Sequence, residues 1–172
     1  MPIIPDTKDW TWVLQRPCPE CGFDASATTP ATVPGAVTDM LPRWRAVLLR
    51  ADVAERPDAD TWSALEYACH VRDVFTLFDQ RLSLMLTDDA AHFEDWDQDR
   101  AAVEKDYASA DPAVVSAELT AAGERIAASF AGVAEVHWGR AGVRSNGSEF
   151  TVLTFAQYFL HDVVHHLHDV KG

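Results

Sequence analysis

The amino-acid sequence predicts an all-α protein: a four-helix bundle with a long crossover, a small β-hairpin before the last helix and an irregular N-terminal arm. Three observations support this prediction. Apolar residues recur at helical spacing in four separate segments. Residues that cap helices precede these segments. A long acidic segment separates the second and third helices, and some four-helix bundles have such crossover connections.

The chain has 172 residues, the size of a single domain with an arm attached to it. Residues 1–32 contain several prolines and show no sustained periodicity, so they are predicted to form an irregular N-terminal arm. We expect Trp10, Trp12 and Phe23 of this arm to lie on the main body. Residues 33–172 are predicted to form the bundle.

The first two helices have the clearest signals. The first is predicted from about Pro34, with Thr32 or Val33 near its N-cap and a bend at Pro42, since an interior proline removes a backbone hydrogen bond. The second begins behind Ser63 and Glu66, which form a capping box. Its broad apolar stripe continues to about residue 86.

An acidic connection, residues 87–110, is expected to cross the bundle and to contain one short helix. The third helix starts at Asp111 and Pro112, an N-cap followed by proline at the first helical position. Further along, Asn146-Gly147 between short alternating segments predicts a β-hairpin. Thr151 then caps the last helix, which runs nearly to the C-terminus.

Charge and composition exclude several classes of function. The formal net charge is −13, so the average surface repels phosphate backbones, and no nucleic-acid partner is expected. No apolar run approaches the roughly 20 residues that a membrane-spanning helix needs, so no membrane association is expected. The N-terminus lacks a secretion signal, which predicts a cytoplasmic protein. A homodimer formed through an exposed helix face stays open.

Histidines provide the main chemical signal. His161 and His165 are four residues apart on the last helix, so their side chains share one face and can chelate one ion. Two ligands rarely hold a divalent ion firmly, and His70 on the apolar side of the second helix is the candidate third ligand. Two alternatives to a metal site stay open. The histidines near the C-terminus of the last helix could be solvated, since cationic histidine is favoured there, and His70 could be a core residue whose hydrogen bonds are satisfied.

These histidines lie in two motifs, WSALEYACHVRDV on the second helix and HDVVHH on the last. In order and separation the motifs resemble those of the DinB-like superfamily of four-helix bundles, over residues 33–170. That superfamily includes thiol-dependent S-transferases and maleylpyruvate isomerase. The resemblance implies that His70, His161 and His165 bind one divalent ion, expected to be zinc or nickel, with the remaining positions open to water or substrate.

Other polar residues have weaker signals. The sequence Cys18-Pro-Glu-Cys21-Gly has zinc-knuckle spacing, but no second ligand pair follows at the expected distance. A loop with two free or reversibly oxidised thiols is therefore expected, with structural zinc as the alternative. Cys69 is expected in the core. Glu66, Asp73 and Gln157 could orient ligands or serve only as caps and surface residues. The histidines expected to be non-ligands are His92, His137, His166 and His168.

The resemblance selects a function. A metal ion that is bound by three histidines and keeps one open coordination position would lower the pKa of a bound thiol or water. We expect a metal-dependent S-transferase or isomerase that uses a low-molecular-weight thiol of the mycothiol type and a small-molecule substrate. The alternatives are a hydrolase that uses metal-bound water, a stress-linked metal- or ligand-binding bundle without turnover, and a metal-free interaction protein. The sequence assigns no catalytic base.

Overall fold

The structure, a computed structural model, describes Ile3 and residues 8–172 of the chain. Residues 1–2 and 4–7 belong to the predicted N-terminal arm, and that part of the prediction lies outside the described residues. In chain order the elements are α1 (Val33–Leu48), α2 (Ala64–Thr87), β1 (Ala91–Phe93), α3 (Gln98–Glu104), α4 (Pro112–Ala131), β2 (Ala141–Arg144), β3 (Glu149–Thr151) and α5 (Val152–Asp169).

Four of these helices, α1, α2, α4 and α5, are long and form the predicted bundle. Their apolar faces meet in one core that includes the fully buried Trp44, Phe75, Ile126 and Phe159. The connection between α2 and α4 is long and contains the short helix α3, as predicted. No helix in the described part of the chain combines the length and hydrophobicity needed to cross a lipid bilayer.

Gly123 allows α4 to approach its two neighbours closely. A Cβ atom at this position would lie 2.4 Å from Leu41 Cδ2 of α1 and 3.0 Å from Phe75 Cε2 of α2. A glycine inside a helix costs about 1 kcal/mol relative to alanine. Here the closer packing of three helices offsets that cost.

Side-chain caps fix the starts of the helices that carry the candidate site. Ser63 Oγ accepts a hydrogen bond from the Glu66 backbone N–H, and the Glu66 carboxylate accepts one from the Ser63 N–H. Thr151 and Thr154 form the corresponding box at α5. The capping interpretation of Glu66 is therefore confirmed. The same carboxylate also pairs with Arg56.

The predicted hairpin is part of a larger sheet. Strands β2 and β3 pair antiparallel around a turn that contains Asn146 and Gly147, and Gly147 has a φ of +91° that favours glycine. Strand β1, from the crossover, adds to β2 in parallel, with Ala91 opposite Gly142. The sequence analysis did not predict this third strand, because its pairing depends on a partner about 50 residues away rather than on a local turn.

Residues 8–32 of the N-terminal arm lie on the body of the protein, as predicted. This described part of the arm contains two short 3-10 helices, Thr11–Leu14 and Ala25–Ala27. The Gln157 side-chain amide of α5 donates hydrogen bonds to the carbonyl oxygens of Ala25 and Thr28, at 2.9 and 3.1 Å. Gln157 therefore holds the arm against α5. The division of the chain at residue 33 stays a prediction.

Asp73 anchors the crossover to α2. Its carboxylate accepts hydrogen bonds from Tyr107 Oη at 2.5 Å, Lys105 Nζ at 2.7 Å and Arg72 Nε at 2.9 Å. Burial alone would raise the pKa of Asp73, but the hydrogen bonds from Lys105 and Tyr107 and the charge of Arg72 lower it. Asp73 is therefore neither a surface residue nor, in this geometry, a partner of the histidines.

We expect Asp73→Asn to lower the free energy of unfolding by about 2–3 kcal/mol at neutral pH, because the buried Tyr107 hydroxyl and the cations of Arg72 and Lys105 lose their charged acceptor. A carboxyl group whose pKa is lowered by folding stabilises the protein above its ordinary pKa of 3.8. The difference in unfolding free energy between the variant and the wild-type protein should therefore shrink as the pH falls through that value and below. Urea denaturation across this range measures it, with Asp79→Asn on the same helix as the control. An equal deficit at every pH would contradict the assignment.

Candidate metal centres

The C-terminal half of α5 carries two pairs of potential metal ligands. His161 and His165 form one pair, and Asp162 and His166 form the other, each pair spaced by four residues. Residues four apart lie on the same face of a helix, whereas neighbouring residues point about 100° apart. The two pairs consequently face different parts of the protein.

The second pair meets α2. His70, Asp162 and His166, here called the helix cluster, each offer one ligand atom, and these atoms lie within 4.8 Å of one another. His70 Nε2 is 3.3 Å from Asp162 Oδ1, and His166 Nε2 is 3.8 Å from the same oxygen. Two imidazoles and one carboxylate therefore converge on one point between α2 and α5.

His70 is the deepest member of the helix cluster. It is fully buried, and its ring lies against Trp62 and stacks on Trp96 with centroids 5.5 Å apart. Its Nδ1 atom has no hydrogen-bond partner among the described residues. Burial lowers the pKa of His70, against the opposing charge of Asp162. The ring is therefore neutral at physiological pH and has a lone pair available for a cation.

Asp162 is charged. Burial alone would raise its pKa, but the neighbouring His70 and His166 lower it to about 2. A neutral imidazole and an ionised carboxylate are the protonation states in which these side chains bind metals. Two imidazoles with one carboxylate form a donor set found at catalytic zinc and non-haem iron sites. The residues of the helix cluster thus fit a divalent ion.

The first pair meets the N-terminal arm. Cys18, Cys21, His161 and His165, here called the arm cluster, also place one ligand atom each within 4.8 Å of one another. Cys18 Sγ is 3.7 Å from His165 Nδ1. Burial raises the pKa of the Cys21 thiol to about 11. Burial and the neighbouring His165 lower the pKa of His161 to about 4.

The three predicted ligands are divided between these two clusters. His161 and His165 lie together, as their spacing predicted, but His70 groups with Asp162 and His166. No group of ligand atoms among the described residues joins His70 to His161 and His165. The helical period identifies pairs four residues apart, yet it does not tell which pair faces α2. That all three histidines bind metal stays a prediction.

The surroundings of three other residues go beyond what their sequence patterns indicate. His166 belongs to the helix cluster, and its expected role as a non-ligand stays a prediction. Cys18 and Cys21 are free thiols, as expected, and His161 and His165 lie beside them although no ligand pair follows at zinc-knuckle distance in the sequence. The signal for Asp162 and His166 was present in the sequence, since they too are four residues apart. Cys69 is buried in α2 and belongs to neither cluster, in agreement with its predicted place in the core.

Asp169 connects the two clusters. Its Oδ2 atom is 3.0 Å from His166 Nδ1, and its Oδ1 atom is 3.7 Å from His165 Nε2. The His166 contact is a hydrogen bond in which the ring N–H donates to the carboxylate. Such a contact fixes the tautomer in which the other nitrogen, Nε2, carries the lone pair and lies 3.8 Å from Asp162 Oδ1.

A cleft of about 760 Å³ opens beside both clusters. Its wall includes Asp162 and His166 of the helix cluster and His161 and His165 of the arm cluster. Asp95, Asp97 and Asp99 give the cleft an acidic side. Arg144, Tyr158 and Lys8 line it as well, and Arg144 Nε is 3.5 Å from Asp95 Oδ1.

Comparison with known proteins agrees with this architecture. A sequence profile of the DinB superfamily matches residues 24–170. The chain belongs to the DinB superfamily. The fold of this DinB protein is also similar to that of YfiT from Bacillus subtilis, with a TM-score of 0.72 and 15% sequence identity over 83% of this chain and 85% of YfiT. YfiT is described as a probable metal-dependent hydrolase with an unusual four-helix bundle topology. Among curated proteins none matches the chain.

Asp169→Asn tests the contribution of the connecting carboxylate. We expect the affinity of the helix cluster for a divalent ion to fall about 10–100-fold, because the His166 ring loses the charged carboxylate acceptor that orients it. Competition with a chromogenic chelator measures this affinity. Asp39→Asn, an exposed position on α1, is the matched control. Equal affinities of the Asp169→Asn variant and the wild-type protein would show that Asp169 does not orient His166.

Proposed function

We propose that this DinB protein is a metal-dependent enzyme whose ion is held by His70, Asp162 and His166. The observation that carries the proposal is the convergence of these three side chains at the wall of an open cleft. We further propose that the enzyme transfers a low-molecular-weight thiol of the mycothiol type to an electrophilic small molecule. The predicted partners, compartment and dimer stay predictions.

The number and exposure of the ligands favour a catalytic ion over a structural one. Catalytic zinc sites have three protein ligands and keep a position for substrate, whereas structural sites have four protein ligands. Asp162 and His166 retain 27% and 17% side-chain exposure, and both line the cleft. The rings of Trp62 and Trp96 cover His70, which does not line the cleft itself. A ligand in the cleft would therefore reach the cluster at Asp162 and His166.

The residues of the cluster have distinct tasks. His70 supplies a neutral nitrogen ligand, and Trp62 and Trp96 hold its ring in place. Asp162 supplies a negative charge that favours a cation. Asp169 orients His166. A divalent ion bound there supplies Lewis acidity, which lowers the pKa of a thiol or water ligand towards neutrality.

The cleft has groups suited to a polar substrate. Arg144 supplies a positive charge in the cleft, where it lies within 3.4 Å of Tyr158 Oη and 3.5 Å of Asp95 Oδ1. Burial raises the pKa of Tyr158, so its hydroxyl stays protonated and can donate a hydrogen bond. The carboxylates of Asp95 and Asp97 line the cleft and keep further acceptor positions for hydroxyl or ammonium groups. A low-molecular-weight thiol that carries many hydroxyl groups would fit this polar lining. The cleft volume of about 760 Å³ is also far larger than a water molecule requires.

In the transfer the thiolate sulfur forms a bond to an electrophilic carbon. The leaving group departs from that carbon with its electron pair, and the thiol proton passes to solvent or to the leaving group. Neither reactant changes its oxidation state, so no redox cofactor is needed.

A hydrolase is the second candidate. It is favoured by the similarity in fold to YfiT, which is described as a probable metal-dependent hydrolase. The same three ligands would then serve a reaction in which water replaces the thiol as the nucleophile. The two candidates differ only in what occupies the cleft.

The activity test uses metal-loaded, untagged protein with mycothiol or bacillithiol and chlorodinitrobenzene. We expect thiol-dependent release of chloride, lowered at least about 100-fold in His166→Ala and Asp162→Ala because each removes a ligand. His168→Ala, an exposed histidine of α5 outside both clusters, should keep full activity.

Three other outcomes would point elsewhere. Cleavage of nitrophenyl esters without any thiol, lost in the same variants, would favour the hydrolase. Firm metal binding with no turnover of either substrate class would favour a non-catalytic binding bundle. Equal activity of His166→Ala and the wild-type protein would contradict the helix cluster as the site.

A further inference from the structure

We infer that Cys18, Cys21, His161 and His165 bind a second ion, a zinc in a closed site with four protein ligands, which fastens the N-terminal arm to α5. This arm cluster is separate from the helix cluster and has a different donor set. Its function would be structural. The argument rests on the geometry of the thiols, the orientation of the imidazoles and the burial of the site.

The spacing of the ligand atoms fits a tetrahedral zinc ion. With zinc–sulfur bonds of about 2.3 Å and zinc–nitrogen bonds of about 2.0–2.1 Å, the ligand atoms of a tetrahedron lie roughly 3.3–3.8 Å apart. Cys18 Sγ and His165 Nδ1 are 3.7 Å apart. All four atoms are within 4.8 Å of one another. Small rotations of the side chains would complete the site without movement of the backbone.

The backbone of the arm presents the two thiols in one tight turn. The Gly22 N–H donates a hydrogen bond to the Cys18 carbonyl, and the Cys18 N–H donates one to the Phe23 carbonyl, both at 2.9 Å. Gly22 has a φ of +75°, a left-handed conformation that glycine adopts without strain. The sequence Cys-Pro-Glu-Cys-Gly thus forms a turn with both sulfur atoms near α5.

The imidazoles of His161 and His165 are oriented towards the position proposed for the ion. His165 turns Nδ1 towards Cys18, and its Nε2 faces Glu20 Oε2 at 3.5 Å and Asp169 Oδ1 at 3.7 Å. Carboxylates behind a ligand histidine are typical of metal sites, because they fix the tautomer that leaves the other nitrogen free. His161 Nε2 is buried without a hydrogen-bond partner among the described residues. An ion at the cluster is the kind of partner that such an imidazole requires.

Burial favours a closed, structural site over a catalytic one. Cys18, His161 and His165 are 1%, 4% and 8% exposed. The Trp10 ring lies 5.5 Å from the His161 ring and 5.3 Å from the His165 ring, and Phe23 packs on His161 from the other side. A zinc ion with two thiolates and two neutral imidazoles has no net charge, so this aromatic shell can enclose it at little electrostatic cost.

An ion in this site would link two distant parts of the chain, the N-terminal arm and α5. Cys18 and His165 are 147 residues apart in the chain, and a shared ion would close that loop. The same link would fix Trp10 and Glu20, which both line the cleft next to the helix cluster. A disulfide between Cys18 and Cys21 is the competing use of the thiols, but it would leave the histidines without a role.

The decisive measurement is X-ray absorption at the zinc edge of untagged, full-length protein purified with a reducing agent. We expect sulfur scatterers at about 2.3 Å. The helix cluster contains no sulfur, so this signal reports the arm cluster whether or not the helix cluster binds zinc. Absence of sulfur from the zinc shell would overturn the inference.

Variants supply a second, independent readout. Cys21→Ser should lower the zinc content by one ion per chain and abolish the thiolate-to-metal charge-transfer band of cobalt-substituted protein. Cys69→Ala, which removes the buried cysteine outside the cluster, should change neither property. His70→Ala should keep the charge-transfer band, because it removes a ligand from the other cluster only. Unchanged zinc content in Cys21→Ser would contradict the proposed site.

The effect on the arm is measurable by proteolysis. Trp10 and Trp12 precede the turn, and both rings lie against the His161 ring of the arm cluster. We expect chymotrypsin to cleave after Trp10 or Trp12 faster in Cys21→Ser, and faster in wild-type protein after a chelator has been added, while Cys69→Ala without chelator matches the untreated wild-type protein. Equal cleavage rates in all four samples would show that no ion fastens the arm.

Discussion

Successive residues of an α-helix point about 100° apart, and in the C-terminal half of α5 this angle separates two pairs of potential metal ligands. His161 and His165 project towards the N-terminal arm, whereas Asp162 and His166 project towards α2. One short helical segment therefore serves two groups of ligands that share no atom. Every other feature of the site, from the tryptophans around His70 to the turn at Cys18, depends on α5 holding this rotation relative to the bundle. The capping box at Thr151 and the buried face of the helix keep it there.

The two clusters differ in the chemistry they support. The helix cluster offers two imidazoles and a carboxylate beside an open cleft, which suits an exchangeable ligand. The arm cluster offers two thiols and two imidazoles under an aromatic cover, which suits permanent coordination. Asp169 contacts one histidine of each cluster. A change of charge or position at this carboxylate would consequently reach both clusters, although they face different parts of the fold.

The four-helix bundle supplies rigidity and the irregular segments supply the lining of the cleft. Trp10 and Glu20 come from the arm, Asp95 and Trp96 from the crossover, and Arg144 from β2. Fold and function are separable in this way, because the framework fixes where a site can lie while attached segments determine what it accepts.

The sequence by itself determined the four long helices, their caps, the short helix in the crossover, the hairpin turn and the metal-ligand spacing on α5, because each depends on residues within one or two turns of one another. It also identified His70 as a buried polar residue. Only the tertiary structure decided which pair on α5 meets His70, that β1 pairs with β2, and that the thiols of residues 18 and 21 meet His161 and His165. The rotation of a helix within a bundle and contacts across 147 residues are set by packing, which local sequence patterns do not encode.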